Sequence, residues 1–567
     1  MKRLFYTILL FAYFSFTAQS QSVVERVFLS TDKENYVAGE GIWLSGFSFK
    51  IENGQKSISD ISAIMYIELI TEKKSVVTLK MAMKNGRGSA CADLPLSLAT
   101  GVYTLVAYTD YMQNENPLPC FEKKISIYNT LTSERLPGVK VGSYKEKVNT
   151  FISAIENNGP HPIDIALPSR GVLKKESTFE IGIKNLLNSN LSASISIYKR
   201  DSLPVFDNIN IETYLKGNLK EASTEFSGAF VPEFEGEIIK GRVVPTNGTS
   251  RDNLAGMNVF LSVPRGEGEI YTSVSDKNGD VLFFTNNIFG KRECVLEVIP
   301  MDTTSRFAVE LTDPFLHPTV TPVNQLTIDP SFKPILEERS FGMQILKSYG
   351  ADLVTDNTIP VHNPFLGGKK KTYLLDDYTR FPVMEEVIIE YVTELRYRKS
   401  GNRAQMHIRW DDSFNSVAYS RDNNLVLIDG IPVFDHKKIL EYDPLKIKSI
   451  SIYGDRYYID NLSYTGIASF KTYTGKYQGL TFDKNVYIVD FIGAQPISRL
   501  TGSDFNTGKY PDFRHTIFWE PIASIPAAGT KAFKIRTPSI NGEYIIVVQG
   551  VTDTGTPLFF VKDFSVE

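Results

Sequence analysis

Cysteine is scarce: the 567-residue chain has only Cys91, Cys120 and Cys294. That excludes a disulfide-dense scaffold and a multi-cysteine zinc module. Spacing leaves open whether Cys91 and Cys120, in one candidate domain, form a disulfide or remain separate thiols. Three buried thiols are the simpler reading, since free cysteine behaves as a small hydrophobe. Histidine is also sparse. His161, His317, His362, His407, His436 and His515 never stand three to five residues apart, and no His-Glu pair has metalloprotease spacing. No Gly-x-Ser-x-Gly elbow, phosphate loop or Gly-x-Gly-x-x-Gly fingerprint is present. The chain is therefore expected to hold no catalytic, cofactor-binding or metal-binding residues. Charge of one sign is missing too: 61 Lys and Arg stand against 65 Asp and Glu, for a formal −4. That balance gives no electrostatic case for nucleic acid or an anionic membrane.

Long apolar runs are confined to the N-terminus. Lys2 and Arg3 precede the apolar stretch Leu4 to Phe16, and Ala18-Gln19-Ser20 supplies small residues at the two positions a signal peptidase reads. Residues 1–20 are read as a secretory signal, because the run is shorter than the ~20 residues of a membrane span. No cysteine follows the cleavage point for lipid attachment, and no later segment approaches a span. The mature chain is expected in the periplasm or at the outer membrane, with the cell surface as a further destination, and with no transmembrane segment of its own.

With 42% hydrophobic residues the chain can bury several cores, and its length suggests about four domains at roughly 150 residues each. Period-two patterning between turn signals marks half-buried strands. Trp43, Phe47 and Phe49 share a parity; Met65, Ile67 and Leu69 alternate with Tyr66 and Glu68; Val77, Leu79 and Met81, then Tyr103, Leu105 and Ala107, repeat the pattern. Short strands so spaced point to a β-sandwich. Ser30-Thr31-Asp32-Lys33, Tyr36, Gly39-Glu40 and Ile42-Trp43, with Asn85-Gly86-Arg87-Gly88, Leu94-Pro95 and Gly101-Val102-Tyr103, resemble a macroglobulin-like domain over residues 21–130. The Cys-Gly-Glu-Gln thioester run of macroglobulin protease traps is absent, so covalent trapping does not carry over.

A second sandwich with linkers is expected over residues 131–232, where Phe179, Ile181 and Ile183, then Ile195 and Ile197, alternate with polar neighbours. Residues 233–325 resemble a carboxypeptidase-regulatory-like sandwich through Ile239-Lys240-Gly241-Arg242-Val243, Gly256-Met257-Asn258-Val259 and Ser275-Asp276-Lys277-Asn278-Gly279. The last run is read as a turn with Asp276 capping it, not as a calcium loop. Residues 326–381 form a linker with a helix over Ile335 to Ser348, and Lys369-Lys370-Lys371 reads as a solvated loop. Trp410-Asp411-Asp412 reads as a polar turn, since adjacent carboxylates on an extended chain face opposite ways. Tyr457, Tyr458 and Tyr464 fit a glycan-facing surface, and equally a strand face or a protein interface, where tyrosine is as common.

Residues 382–477 read as a split α/β unit. Leu425-Val426-Leu427-Ile428 is a buried strand stopped by Asp429-Gly430; Asp435 caps a short helix with Phe434 placed to staple onto Ile439; Ile447 to Tyr453 is another strand. Glu385-Glu386-Val387, Leu427 through Pro432, Asp443-Pro444 and Gly466-Ile467-Ala468-Ser469-Phe470 resemble the plug domain of TonB-dependent outer-membrane receptors. Only 91 residues follow Lys476, against more than ~200 for a plugged 22-strand barrel, so the plug is expected without a barrel in this chain. Residues 478–567 are expected to form a C-terminal sandwich.

The expected fold is mainly β: tandem immunoglobulin- and transthyretin-like β-sandwiches with one small α/β plug-like domain. The arrangement resembles a group of Bacteroidota-type envelope proteins. That resemblance implies a non-enzymatic accessory or scaffold that binds an outer-membrane or surface protein. The alternatives are a glycan- or peptide-binding surface protein and a thioester-less macroglobulin-like protease inhibitor. Asp429, Gly430, Ile431, Pro432 and Asp435 are the expected partner-facing residues.

Overall fold

The computed structural model describes residues 23–567 apart from 53, 72–73, 145–160, 218–225, 247–253, 265–267, 287, 301–304, 321–324, 349–353, 356–369, 402, 412–416, 420–422, 497–498 and 501–510. The signal segment and Asp412 lie outside the described residues. The fold is mainly β. No described helix is long and apolar enough to cross a membrane. The chain divides into two compact units: residues 1–234, 319–356 and 497–567 make one, and residues 235–318 and 357–496 the other.

In the first unit, strands run in the hydrogen-bonded order Val24–Thr31, Gly41–Glu52, Arg87–Asp93, Ser75–Lys84, Ile64–Ile70, Gly101–Tyr108, Phe121–Tyr128, Asn35–Val37. The Asn85-Gly86 turn joins two of them with φ of +51° and +69°, the paired positive values that a two-residue hairpin turn demands. Patterning predicts one solvated face for these strands, but Val24–Thr31 and Ile64–Ile70 are buried throughout. A second sandwich covers part of the polar face. Ser45 Oγ donates to Pro521 O at 2.7 Å, Ser196 Oγ to Asp32 O at 2.5 Å, and Gln549 Nε2 to Ser30 Oγ at 2.6 Å.

That second sandwich corrects the expected segment boundaries. Its sheets are Ile163–Ala166, Thr178–Asn185, Thr530–Arg536, and Val172–Leu173, Pro557–Val566, Gly542–Thr552, Leu191–Lys199, Thr516–Ile525, Arg499–Leu500, Val354–Thr355. Strand Leu191–Lys199 lies between Thr516–Ile525 and Gly542–Thr552. Residues 131–232 and 478–567 therefore do not each make a sandwich. Their strands share one core, in which Ile181, Ile183, Ile195 and Ile197 pack with Ile517, Ile535, Ile546 and Val548. Neither segment has enough strands to cover its own apolar face.

In the second unit, a β-sandwich pairs the sheet Asp280–Phe284, Ile238–Pro245, Phe307–Leu311 with the sheet Glu269–Val274, Asn258–Val263, Lys291–Ile299, Val486–Ile492. Its last strand comes from the segment assigned to the C-terminal sandwich, a second correction. The Asp276 turn forms as expected: its Oδ1 accepts from Asn278 N and Asp280 N, and Gly279 has φ +84°. The α/β part has the sheet Lys370–Leu374, Ile447–Tyr453, Ile467–Thr472, Leu425–Ile428, Ile431–Pro432, with helices Met384–Glu390 and Lys437–Leu440. Lys370 and Lys371 thus start an edge strand rather than a loop; Lys369 lies outside the described residues. Lysine on a sheet edge discourages further pairing.

Candidate partner-binding sites

The five residues expected to face a partner lie on the hairpin Leu425–Ile428, Ile431–Pro432 and the turn after it. Asp429 and Gly430 have φ of +49° and +87°, as a two-residue turn requires. Asp429 is nevertheless buried. Its carboxylate accepts from Thr472 N at 2.8 Å, Thr472 Oγ1 at 2.6 Å and Tyr477 N at 2.6 Å. A Cβ on Gly268 would come within 2.3 Å of Gly430 Cα. Gly430, Ile431 and Pro432 are buried with Asp429, and only Asp435 is exposed. The turn is a clasp inside the unit rather than an accessible surface, because the Gly268 backbone and the Thr472–Tyr477 stretch close over it.

Asp435 Oδ1 accepts from Lys437 N at 3.2 Å, but the N-cap of the short helix is His436, one residue later than expected. The Phe434 ring, placed by its sequence position to staple onto Ile439, packs 4.9 Å from the ring of Phe260 in the β-sandwich of this unit. Of the three tyrosines considered for a glycan surface, Tyr458 is 70% exposed, but Tyr464 is buried and Tyr457 half-buried. They do not form an aromatic platform. The cysteines are all thiols. Cys294 lies in a core and Cys91 and Cys120 are half-buried, with burial pushing the Cys120 thiol up to about 12.

One buried acid in this unit gives a pH prediction. Glu297, on Lys291–Ile299, is 8% exposed, and burial lifts its carboxyl to about 8, with Asp483 adding to the effect and Lys438 opposing it. Lys438 is itself paired to Asp483 at 2.8 Å. The folded state holds this proton more tightly than the unfolded chain. Stability is therefore expected to fall as pH rises from about 4.5 towards 8, by at most ~1.4 kcal/mol per pH unit. Glu297→Gln should flatten that slope in urea titrations at several pH values; an unchanged slope would assign it to other groups.

The Ser30–Trp43 motif of the first unit has a structural use that lies beyond its local spacing. Asp32, Lys33, Tyr36 and Glu40 converge on Arg339 of the Lys333–Ser348 helix and on Asp201, His515 and Thr516 of the composite sandwich. Arg339 donates to Glu40 Oε2 at 2.6 Å, Asp201 Oδ2 at 3.2 Å and Asn35 O at 2.7 Å. Lys33 Nζ lies 3.0 Å from Asp32 Oδ2, whose carboxylate also accepts from Thr516 Oγ1 at 2.6 Å and Tyr36 Oη at 2.8 Å. Burial alone would raise the Glu40 carboxyl, but the charges of Arg339 and Lys33 override it and hold it at about 2. Burial and the Arg339 charge push the His515 imidazole down, keeping it neutral at 3.6 Å from Asp201.

These inward contacts fix the helix, and its outer side lines a groove of about 530 Å³. Ser340, Phe341 and Gln344 face Thr130, Thr132, Ser133 and Arg135 across it. The opposite wall is held by Asn129, whose Oδ1 accepts from Leu131 N and Thr132 N while its Nδ2 donates to Leu96 O and Leu98 O. Thr130 Oγ1 and Ser340 Oγ, 2.6 Å apart, tie wall to helix. Phe341 is 55% exposed and meets the Phe513 ring edge-on at 5.2 Å. The volume falls in the ~300–1,000 Å³ range of ligand-binding clefts. Hydroxyls, the amides of Asn129 and Gln344, both charge signs and the aromatics Tyr128 and Phe341 give it hydrogen-bonding capacity and an apolar anchor.

No family model and no curated protein matches this chain. Among solved structures, E. coli alpha-2-macroglobulin in its native conformation is matched at 10% identity, over 96% of this chain and 40% of that one, with a TM-score of 0.23. Salmonella alpha-2-macroglobulin reacted with methylamine is matched at 10% identity, over 97% and 40%, with a TM-score of 0.22. Dimeric latent PorU from Porphyromonas gingivalis is matched at 11% identity, over 50% and 34%, with a TM-score of 0.15. At such TM-scores the matches carry no functional argument. The chain spans about 40% of the length of the macroglobulin structures it matches.

Proposed function

We propose that this chain is a non-enzymatic, exported envelope protein that binds an outer-membrane or surface protein and holds a segment of it in the groove beside the Lys333–Ser348 helix. The observation that carries this reading is the groove itself: about 530 Å³, walled by Thr130, Thr132, Ser133 and Arg135 on one side and Ser340, Phe341 and Gln344 on the other. Its polar groups match the donors and acceptors of a peptide backbone, and exposed Phe341 supplies the aromatic anchor on which such interfaces concentrate their energy.

The test is site-specific photocrosslinking in cells with the full tagged chain, placing the crosslinker at Gln344 and, as a control, at exposed Lys534 on a different element. A protein adduct at Gln344, absent at Lys534 and lost on Phe341→Arg, is expected, and its mass identifies the partner. Equal labelling at both positions, or none at Gln344, would remove the groove from consideration.

A further inference from the structure

The hairpin Leu395–Ser400, Arg403–Asp411 concentrates positive charge in a chain of formal charge −4: Arg396, Arg398, Lys399, Arg403 and Arg409 against the single carboxylate of Asp411. Strand alternation sorts these residues. Leu395 pairs with Ile408 and Tyr397 with Met406; Leu395, Met406 and Ile408 are buried in the α/β core and Tyr397 packs against it. Arg396 pairs with His407 and Arg398 with Gln405 on the other face, where Arg403 and Arg409 also lie by parity. Arg396, Arg398 and Arg403 are exposed, and no ion pair to them is found among the described residues. Lys399, on the inner face, is instead paired to Glu385. The Arg396 guanidinium stacks 4.2 Å from the ring of Tyr419, which lies on the strand beyond Arg403–Asp411, so an incoming carboxylate would draw it from that ring towards the edge.

A second observation comes from the backbone. Leu395–Ser400 is an edge strand: in the sheet Leu395–Ser400, Arg403–Asp411, Val417–Tyr419 its only hydrogen-bonded strand neighbour among the described residues is Arg403–Asp411. An open edge with charged side chains resists pairing with neutral or cationic strands, which is how natural sheets avoid aggregation. The same charges favour a strand of opposite sign. Only a polypeptide offers both the amide ladder to match the edge and side chains at the two-residue period to meet the arginines. A polysaccharide or lipid headgroup has the charge but not the ladder.

We infer that Leu395–Ser400 accepts an extended acidic segment of a partner polypeptide as an added strand, with carboxylates at every second position lying opposite Arg396 and Arg398. Cross-strand neighbours stand about 4.5–5.5 Å apart at Cβ, within reach of bidentate Arg–carboxylate pairs. This inference uses a different unit from the groove and stands or falls separately from it.

The test uses the full chain and a nine-residue peptide alternating glutamate and valine, followed by fluorescence anisotropy. Saturable binding is expected, weakened at least 10-fold by Arg396→Glu/Arg398→Glu and at least 10-fold by 0.5 M salt. A matching lysine–valine peptide should bind the reversed variant better than the native chain. N-methylating alternate amides of the acidic peptide should also abolish binding, which charge alone would not require. No binding of the acidic peptide overturns the inference. Equal binding by the N-methylated peptide, by a sulfated polysaccharide or by phosphatidylglycerol vesicles also overturns it, reducing the hairpin to a general anion surface.

Discussion

Arg339→Leu is expected to destabilise the first unit by about 3–5 kcal/mol, because it leaves buried Asp201 without its guanidinium partner and buried Glu40 with only Lys33, 3.7 Å away. Against a typical domain stability of ~5–15 kcal/mol, that shifts a urea midpoint plainly. Arg339→Lys should recover only part of the loss, since an ammonium cannot reproduce the fork that reaches Glu40, Asp201 and Asn35 O together. A triple replacement of Arg339, Glu40 and Asp201 by apolar residues of similar volume should recover more than either single change, as buried ion networks replaced whole often do. Acid supplies an independent check. The Glu40 carboxyl is held at about 2 in the folded state, below its ordinary 4.5, so its contribution is fully present above pH 4.5. That contribution is lost as pH falls from 4.5 towards 2. A loss below ~1 kcal/mol for Arg339→Leu would mean that water reaches the site and screens it as at a surface.

Removing residues 516–567 is expected to unfold the strands between Ile163 and Lys199, more than three hundred residues away in sequence. Leu191–Lys199 would lose both of its ladder neighbours, and Ile181, Ile183, Ile195 and Ile197 would lose the facing layer of their core. At about 1.5–3 kcal/mol for each large aliphatic side chain returned to water, the loss exceeds the stability of an ordinary domain. Hydrogen exchange reads this directly: amides of Leu191–Lys199 should go from slow to unprotected in the truncated chain, while those of Glu269–Val274, in the other unit, stay slow. Retained protection at Leu191–Lys199 would show that the earlier segment closes a core of its own.

The two sandwich segments show how far periodicity reaches. Alternation at Phe179, Ile181, Ile183 and at Ile195, Ile197 identifies strands and their buried faces, because the side-chain period of an extended chain is a local property. It says nothing about which strand lies alongside, and Leu191–Lys199 takes both neighbours from the far end of the sequence. The Asp429-Gly430 turn was legible for the same local reason, since few residue pairs accept two consecutive positive φ values. Its burial was not, because Thr472, Tyr477 and Gly268 that close it are distant in sequence. Phe434 has a local partner legible in Ile439, whereas its ring contact with Phe260 joins residues far apart in sequence.

Functional geometry divides along the same line. The Asp32-Lys33, Tyr36 and Glu40 motif stood out in sequence, but its partners Arg339, Asp201 and His515 come from three other segments. The arginines of Leu395–Ser400 and Arg403–Asp411 were readable as residues, and a two-residue period with a tight turn would have put them on one face. A formal charge summed over the whole chain conceals them, because acidic residues elsewhere cancel their charge. Sequence by itself determined the mainly β class, the turn chemistry and the alternating faces, all set by backbone preferences within a few residues. Tertiary structure decided which strands share a core, which polar faces are buried and where a groove or an open edge remains, because those depend on apolar area and charge meeting across hundreds of residues.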